Sequence, residues 1–453
     1  MAGSTIKDMT EGSPAKLMLG FFFPMLFGML FQQFYNMMDT VIVGKYLGVN
    51  ALAAVGSTGS INFMIIGFCM GVCNGFAIPT AQKFGEKNFT MLRKFVANGA
   101  WLSVIFSVGM TTIVCVLCRQ ILLWMNTPED IMEGAYRYIF IIFLGIPATY
   151  LYNMVSGTIR SLGDSKTPLL FLILSSVLNI FLDLFFILVL HMREEGAAIA
   201  TVISQAVSGI GCLIFMVKHF EILRMTREEA RPDKDVMKIL CNMGVPMGLQ
   251  YSITAIGSVI LQTAVNGLGS MAVAAVTAGT RISMFFCCPF DALGSTMATY
   301  GGQNIGARKL DRIESGLKAA SIMGVIYSLA ALGILILFGK QISLLFLEKE
   351  QTEILGQVYL FLIVNSAFYI PLAFVNIVRF LIQGLGYSRL AVLAGVCEMI
   401  ARGVVGFFLV PVFGYSAVCF ASPAAWIAAD AFLIPSYIHI MKTLKTRMGY
   451  GID

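Results

Sequence analysis

An apolar run from Leu17 to Gly48 is the feature that most constrains the fold of this chain. At about 1.5 Å per residue, roughly 20 apolar residues in a helix cross the hydrocarbon core of a bilayer, and this run is longer than that. Asp39 lies near its far end, where a carboxylate costs about 2.5–3.5 kcal/mol on insertion scales. We therefore interpret the run as a membrane-spanning helix and Asp39 as a candidate functional residue.

The composition extends this interpretation to the whole chain. Of its 453 residues, 58% are hydrophobic and only 12% are charged, whereas soluble domains carry about 25% charged residues. The strand-type alternation of an outer-membrane barrel is absent, which excludes that class. The polar N-terminal segment has no signal-peptide core. We predict an all-α polytopic membrane protein of the plasma membrane, with no cofactor and no nucleic-acid partner.

Apolar runs between polar breaks predict twelve transmembrane spans. They are 17–43, 52–80, 95–118, 134–159, 167–190, 196–217, 241–267, 272–300, 316–338, 354–382, 390–410 and 415–440. Most Lys and Arg residues then fall on one side of the membrane, which is cytoplasmic by the positive-inside rule. We predict that both termini lie on that side, as an even number of spans requires.

Short segments recur in the same order in the two halves of the chain. The pairs are Pro24 and Pro246, Gln82–Gly85 and Gln303–Gly306, Asn153 and Asn376, and Leu162–Gly163 and Leu385–Gly386. Such self-similarity indicates duplication. We predict an N-terminal six-helix bundle over 1–218, a cytoplasmic linker over 219–238 and a C-terminal six-helix bundle over 239–453. Six spans per repeat make the repeats parallel, an arrangement typical of transporters.

Polar side chains in the first, fifth and sixth spans fall at a similar depth, in the outer half of the membrane. Asn179 precedes Asp183 by four residues and shares its helical face, and Thr201 enters from outside. Hard cations such as Na⁺ favour carboxylate and hydroxyl oxygens, and a low-dielectric site favours a protonated carboxyl group. We predict that Asp39, Asp183, Asn179 and Thr201 bind a coupling ion. The alternative is that the two acids only hold helices together.

Other features of the spans have simpler interpretations. Glu398 and Arg402 are four residues apart in the order that favours a helical ion pair, so we predict a self-neutralised pair. Asp430 in the last span has no assigned role. The 27 Met and 35 Phe residues suit an adaptable pocket for organic cations, although packing explains any single one. Walker A, HExxH and GxSxG motifs are absent, so we predict that the chain is not an enzyme and that an ion gradient drives it.

The chain resembles the multidrug and toxic compound extrusion (MATE) antiporters over essentially its whole length. The residues that carry the resemblance are Pro24, the face formed by Gln33, Asn36 and Asp39, Val43–Gly48, and Arg160–Asp164. It implies a V-shaped pair of six-helix bundles that expels organic, often cationic, compounds in exchange for Na⁺ or H⁺. In some members the coupling site lies in the N-terminal bundle, which implies Asp39, Asn153, Asn179, Asp183 and Thr201 here, with Asp39 and Asp183 as ligands if the ion is Na⁺.

We expect the chain to function as a monomer that binds small organic molecules in a cleft between the bundles. The candidate cleft residues are Gln33, Asn36, Met37, Met64, Asp291 and Asn376. One alternative is a lipid-linked oligosaccharide flippase of related fold, for which Arg281, Arg379 and Arg402 are the only hint of a cationic groove. Another is a channel or receptor, against which the duplicated halves argue. The coupling ion and the substrates stay open.

Overall fold

The structure, a computed structural model, describes residues 5–345, 347, 349–350 and 352–449, and all regular elements within these ranges are helical. The helices of the first half are α1 (Pro14–Leu47), α2 (Val49–Ser57), α3 (Gly59–Gly85), α4 (Phe89–Val116), α5 (Cys118–Trp124), α6 (Glu129–Leu144), α7 (Ile146–Ser161), α8 (Lys166–Leu184) and α9 (Glu194–His219). Those of the second half are α10 (Lys234–Asn266), α11 (Ser270–Gly306), α12 (Leu310–Ser343), α13 (Thr352–Ala367), α14 (Tyr369–Gly384), α15 (Ser388–Val404), α16 (Val410–Phe413) and α17 (Tyr415–Met448). The prediction of an all-α chain is confirmed.

The number of spans agrees with the sequence. Among the described residues, ten helices are long and apolar enough to cross a membrane, and the number reaches 12 if each of two bent pairs forms one span. The pairs are α6–α7, bent by 44°, and α13–α14, bent by 52°. Pro147 and Pro371 lie in the first turns of α7 and α14. Proline has no N–H to continue the hydrogen bonding of the preceding helix, which explains both bends.

The two halves share the order of their bent pair and π-helix. In each half the bent pair is followed by a helix that runs into five residues of π-helix, Phe185–Val189 after α8 and Val405–Leu409 after α15. Segments of π-helix are rare and occur frequently at functional sites. The span predicted over 52–80 is also interrupted, at Thr58 between α2 and α3.

The chain packs as two compact units whose limits differ from those of the sequence repeats. The first unit holds Phe23–Ser252 with the described residues up to Asp8, and the second holds Met9–Phe22 with the described residues from Ile253 onwards. The start of α1 therefore belongs to the second unit, and the start of α10 belongs to the first.

Small residues explain why the start of α10 packs in the first unit. A Cβ atom added at Gly71 of α3 would lie 2.5 Å from the Met247 carbonyl oxygen and 2.7 Å from Gly248 Cα. One added at Gly75 would overlap Gly244 Cα. Glycines on both helices let the two backbones approach closely, as small-xxx-small rows do in membranes. Close helix packing is therefore what the Gly67, Gly71 and Gly75 row provides.

We expect Gly75→Ala to lower the thermal stability of the purified protein, because the added methyl group has no free space and overpacking costs about 1–3 kcal/mol. The matched control is Gly109→Ala on α4, since nothing lies within 4 Å of a Cβ atom added there. The measurement is the fraction of protein that stays monodisperse in size-exclusion chromatography after heating. Equal melting temperatures for the two variants would contradict the packing described here.

The repeated Gln303–Gly306 motif anchors the N-terminal segment within the second unit. It forms the last turn of α11. The Gln303 side-chain oxygen accepts a hydrogen bond of 2.8 Å from the Met9 backbone N–H, and the Asn304 amide donates one of 3.2 Å to the Met9 carbonyl oxygen. Met9 is only 1% exposed. This copy of the motif therefore has a structural role that sequence inspection did not reveal.

The predicted linker is docked against α4. The Glu229 carboxylate accepts hydrogen bonds of 2.9 Å from both Nε and Nη2 of Arg93, and the Trp101 indole donates one of 2.9 Å to the Ala230 carbonyl oxygen. Hydrogen bonds from Arg93, and next from the Thr226 backbone, lower the pKa of Glu229. Because the pKa is lowered, the pairing of Arg93 with Glu229 stabilises the fold at pH values above the usual range of carboxyl pKa values. This stabilisation is lost as the pH falls through the lowered pKa.

We expect Arg93→Ala to raise the rate at which trypsin cleaves the linker, because Glu229 loses its two charge-assisted hydrogen bonds. The available sites follow Arg224 and Arg227, since Pro232 blocks cleavage after Arg231. Lys94→Ala removes a cation from the next position of the same helix and is the control. Cleavage rates measured by mass spectrometry on native protein in detergent test this expectation, and equal rates for both variants would refute it.

Candidate functional site

The candidate site lies in the first packing unit, where four helices each present two polar side chains spaced one turn apart. Residues i and i+4 share one face of a helix, so each pair points in one direction. The pairs are Tyr35 and Asp39 on α1, Thr149 and Asn153 on α7, Asn179 and Asp183 on α8, and Thr201 and Gln205 on α9.

The centre of the site is a pair of carboxyl groups. The side chains of Asp39 and Asp183 lie within hydrogen-bonding distance of each other, and Asp183 is 0% exposed. Within the part of the chain that the structure describes, no hydrogen-bond donor reaches the buried Oδ1 of Asp39 or either carboxylate oxygen of Asp183. Two adjacent carboxylates repel each other, and a proton or another cation between them removes that repulsion.

Asn179 and Thr201 form the wall beside this pair. The Asn179 amide donates a hydrogen bond of 3.2 Å to the Thr201 hydroxyl, which donates in turn to the Ala197 carbonyl oxygen at 3.1 Å. The Asn179 Oδ1 atom is buried, and no donor among the described residues reaches it. Carboxylate, amide and hydroxyl oxygens together make a donor set that suits either a proton or Na⁺.

Asn153 is linked to the carboxyl pair through intermediate residues. Its amide donates a hydrogen bond of 2.8 Å to the Thr149 carbonyl oxygen, and the Thr149 hydroxyl donates one of 2.8 Å to Gln205 Oε1. Gln205 lies within hydrogen-bonding distance of the Tyr35 hydroxyl, which interacts electrostatically with both carboxyl groups. The structure thus brings the predicted ion-coupling residues into one connected network, with Asn153 at its edge.

Sequence reasoning missed four members of this network. Tyr35, Thr149 and Gln205 each lie four residues from a predicted member, so the helical spacing was a usable signal. Tyr138 on α6 is buried and interacts electrostatically with Asp39, Asp183 and Tyr35. No spacing rule indicates Tyr138, because its position depends on how α6 packs.

The predicted cleft residues occupy varied environments. In the first unit Asn36 is exposed, whereas Gln33, Met37 and Met64 are half-buried. In the second unit Asp291 is exposed, and Asn376 is only 7% exposed. Their part in binding a substrate stays a prediction.

Three comparisons with known proteins bear on this arrangement. The MatE family model matches the chain twice, over 24–185 and over 246–408. Two probable multidrug resistance proteins of Bacillus subtilis (strain 168) are similar. YpnP is 29% identical over 375 residues, which cover 82% of each chain, and YoeA is 28% identical over 341 residues, which cover 73% of each.

A solved structure described as the outward-facing conformation of a multidrug resistance MATE family transporter has the same fold. It superposes with a TM-score of 0.91 over 98% of this chain and 100% of that chain, at 23% sequence identity. The fold expected from the sequence resemblance is confirmed.

Proposed function

The chain belongs to the MatE family, and we propose that it is a secondary active antiporter that extrudes organic, often cationic, compounds across the plasma membrane in exchange for H⁺ or Na⁺. Members of this family are transporters and not enzymes, and this chain is a multi-pass membrane protein. We further propose that it acts as a monomer with both termini in the cytoplasm. The proposed repeats are 1–218 and 239–453, joined by the linker at 219–238.

The observation that carries the proposal is the contact between the carboxyl groups of Asp39 and Asp183 in a buried site. Burial of two adjacent negative charges is expensive, so the pair holds one exchangeable cation whenever the site is closed. Since Asp39 is on α1 and Asp183 on α8, loss of that cation repels the two helices from each other. Ion binding thereby biases the packing of the first unit.

The remaining residues of the network position this pair. Asn179 and Thr201 are held by their mutual hydrogen bond and offer oxygen atoms beside the carboxyl groups. The Tyr35 hydroxyl, which lies close to Gln205, extends the network towards Thr149 and Asn153. If ion binding and substrate binding favour different packing arrangements, each weakens the other by the same factor, which is the thermodynamic basis of exchange.

Everted membrane vesicles test the proposal directly. Ethidium is added to the medium, which faces the cytoplasmic side of everted vesicles that contain the protein, and a pH gradient or a Na⁺ gradient is imposed separately. We expect ethidium movement with one of the two gradients and none after that gradient is collapsed. Movement that ignores both gradients would reject an antiporter and favour a channel.

Two of the three cationic groups that suggested the flippase alternative give it no support. Arg379 and Arg402 are both engaged by Glu398 in the second unit, so they do not form a free groove for a pyrophosphate group.

A further inference from the structure

The second packing unit contains a charged cluster that the proposed ion exchange at Asp39 and Asp183 does not use. Glu398 on α15 forms an ion pair with Arg379 of α14, and its other oxygen lies 3.5 Å from Nη1 of Arg402. The three side chains are buried. The sequence predicted only the pair of Glu398 and Arg402, because the four-residue rule does not detect a partner on another helix. Glu398 is therefore shared between two guanidinium groups.

Asp430 on α17 completes the cluster. It interacts electrostatically with Arg379 and Glu398, which lie on the two helices α14 and α15 that pack against α17. Its Oδ1 atom is buried, and no hydrogen-bond donor among the described residues reaches it. Arg379 is 6% exposed, yet its buried Nε atom also has no hydrogen-bond partner in the part of the chain that the structure describes. An unused acceptor and an unused donor thus remain within one buried cluster.

Glu398 already pairs with both guanidinium groups of the cluster. Asp291 on α11 also interacts with Arg379, but its side chain is exposed, so it adds no buried charge. The other elements that pack against α17 add no charge at this depth. Val405–Leu409 and α16 have no ionisable residue. The acidic residue of α13, Glu353, lies in its first turn, away from the cluster along the helix. A carboxylate oxygen that is buried without a hydrogen-bond donor, as Asp430 Oδ1 is among the described residues, is costly at this depth unless a proton neutralises the group.

The repeat gives a second, independent observation. Arg402 precedes the π-helix Val405–Leu409 by three residues, and Asp183 precedes the π-helix Phe185–Val189 by two residues. The cluster therefore lies close to the place in the second half that corresponds to the carboxyl pair in the first half. Such local irregularities of a helix are frequent at functional sites.

We propose that the second packing unit binds a second exchangeable proton, at the carboxyl group of Asp430 beside the Arg379–Glu398–Arg402 cluster. The reaction is a reversible proton transfer: an O–H bond of a hydronium ion breaks, an O–H bond of the Asp430 carboxyl group forms, and water is released. A metal cation is disfavoured here because the guanidinium groups repel it, whereas a proton converts the carboxylate into a neutral group. The proposal rests on the proposed function, because an ion-coupled transporter gives such a proton a role.

Infrared difference spectroscopy of the purified full-length protein in detergent tests the proposal without transport. Protonated carboxyl groups have a characteristic C=O stretching band, and a change from alkaline to acidic pH reveals each group that gains a proton. We expect the band of the wild-type protein to contain contributions from the Asp39–Asp183 pair and from Asp430. The band of the Asp430→Asn variant should be smaller by one carboxyl group per chain. It should keep the contribution of the Asp39–Asp183 pair, which Asp183→Asn removes.

Two further variants make the outcome decisive. Asp430→Glu should keep the proton and shift the frequency of the band, which also answers the question if Asp430→Asn fails to fold. Asp291→Asn should leave the Asp430 contribution in place. Any one of three results would overturn the assignment. The band is unchanged in Asp430→Asn, it does not shift in Asp430→Glu, or Asp291→Asn loses the contribution assigned to Asp430. A protein that moves no ethidium but shows these bands would reject the proposed function and retain the second proton site.

Discussion

Replacing Asp183 by Asn is expected to abolish gradient-driven efflux of ethidium while the protein remains folded in the membrane. Asn has nearly the same size as Asp but cannot exchange a proton, and it leaves Asp39 without an acidic partner. Coupling between ion and substrate binding is typically worth about 1–3 kcal/mol, or roughly 5- to 150-fold in affinity. Without an exchangeable proton that coupling is lost, so efflux should fall to the rate of vesicles that lack the protein. Ethidium fluorescence in everted vesicles measures the rate.

The matched control for this variant is Asp130→Asn, since Asp130 is an exposed residue at the start of α6. It undergoes the same chemical change outside the site, and we expect its efflux rate to equal that of the wild-type protein. The amount of each variant in the membrane is compared by immunoblot. Full efflux by Asp183→Asn at normal abundance would refute the assignment of the carboxyl pair as the coupling site.

Arg379→Met is expected to destabilise the protein severely. Removing one partner of a buried ion pair costs about 3–5 kcal/mol, because the remaining charge stays buried. In this variant Glu398 keeps only Arg402, whose closest nitrogen lies 3.5 Å away. Thermal unfolding of the purified protein, followed by its intrinsic fluorescence, measures the loss.

An exposed ion pair supplies the control for Arg379→Met. Arg119 donates to Glu133 at 2.7 Å, and the Arg119 side chain is 59% exposed. Surface pairs contribute about 0–1 kcal/mol, so Arg119→Met should leave the melting temperature almost unchanged. Equal effects of the two Arg→Met changes would show that the buried cluster does not stabilise the second unit.

The presence of acidic residues in apolar runs was enough to predict Asp39 and Asp183, the carboxyl pair at the centre of the candidate site. Asp39 and Asp183 stand out in the sequence because a carboxylate inside a span is costly, and helical rise places both at a similar depth. Asn179 follows from its spacing to Asp183. Tyr138 could not be predicted in this way, because it reaches the carboxyl pair from α6, whose placement depends on tertiary packing.

Contacts between distant parts of the chain could not be predicted from the sequence either, because they also depend on how the helices pack. The helical rule detects Arg402 as a partner of Glu398, but Arg379 reaches Glu398 from a different helix. The sequence predicts a linker over 219–238 but not its contacts: Arg93 and Trp101 of α4 donate hydrogen bonds to Glu229 and Ala230 of that linker. Local pattern predicts which residues form helices and which charges are costly, whereas partners across helices follow only from the packed structure.

The assignment of the start of α10 to the first packing unit has a consequence for biosynthesis. Gly71 and Gly75 reach their final neighbours only when Gly244 and Gly248 have left the ribosome. The first unit is therefore completed after synthesis has passed Ser252, well beyond its sixth predicted span. The segment Met9–Phe22, although synthesised early, waits for its neighbours in the second unit, among them Gln303 and Asn304. A nascent chain stalled after residue 218 would leave the glycine face of α3 uncovered, because α10 is not yet synthesised.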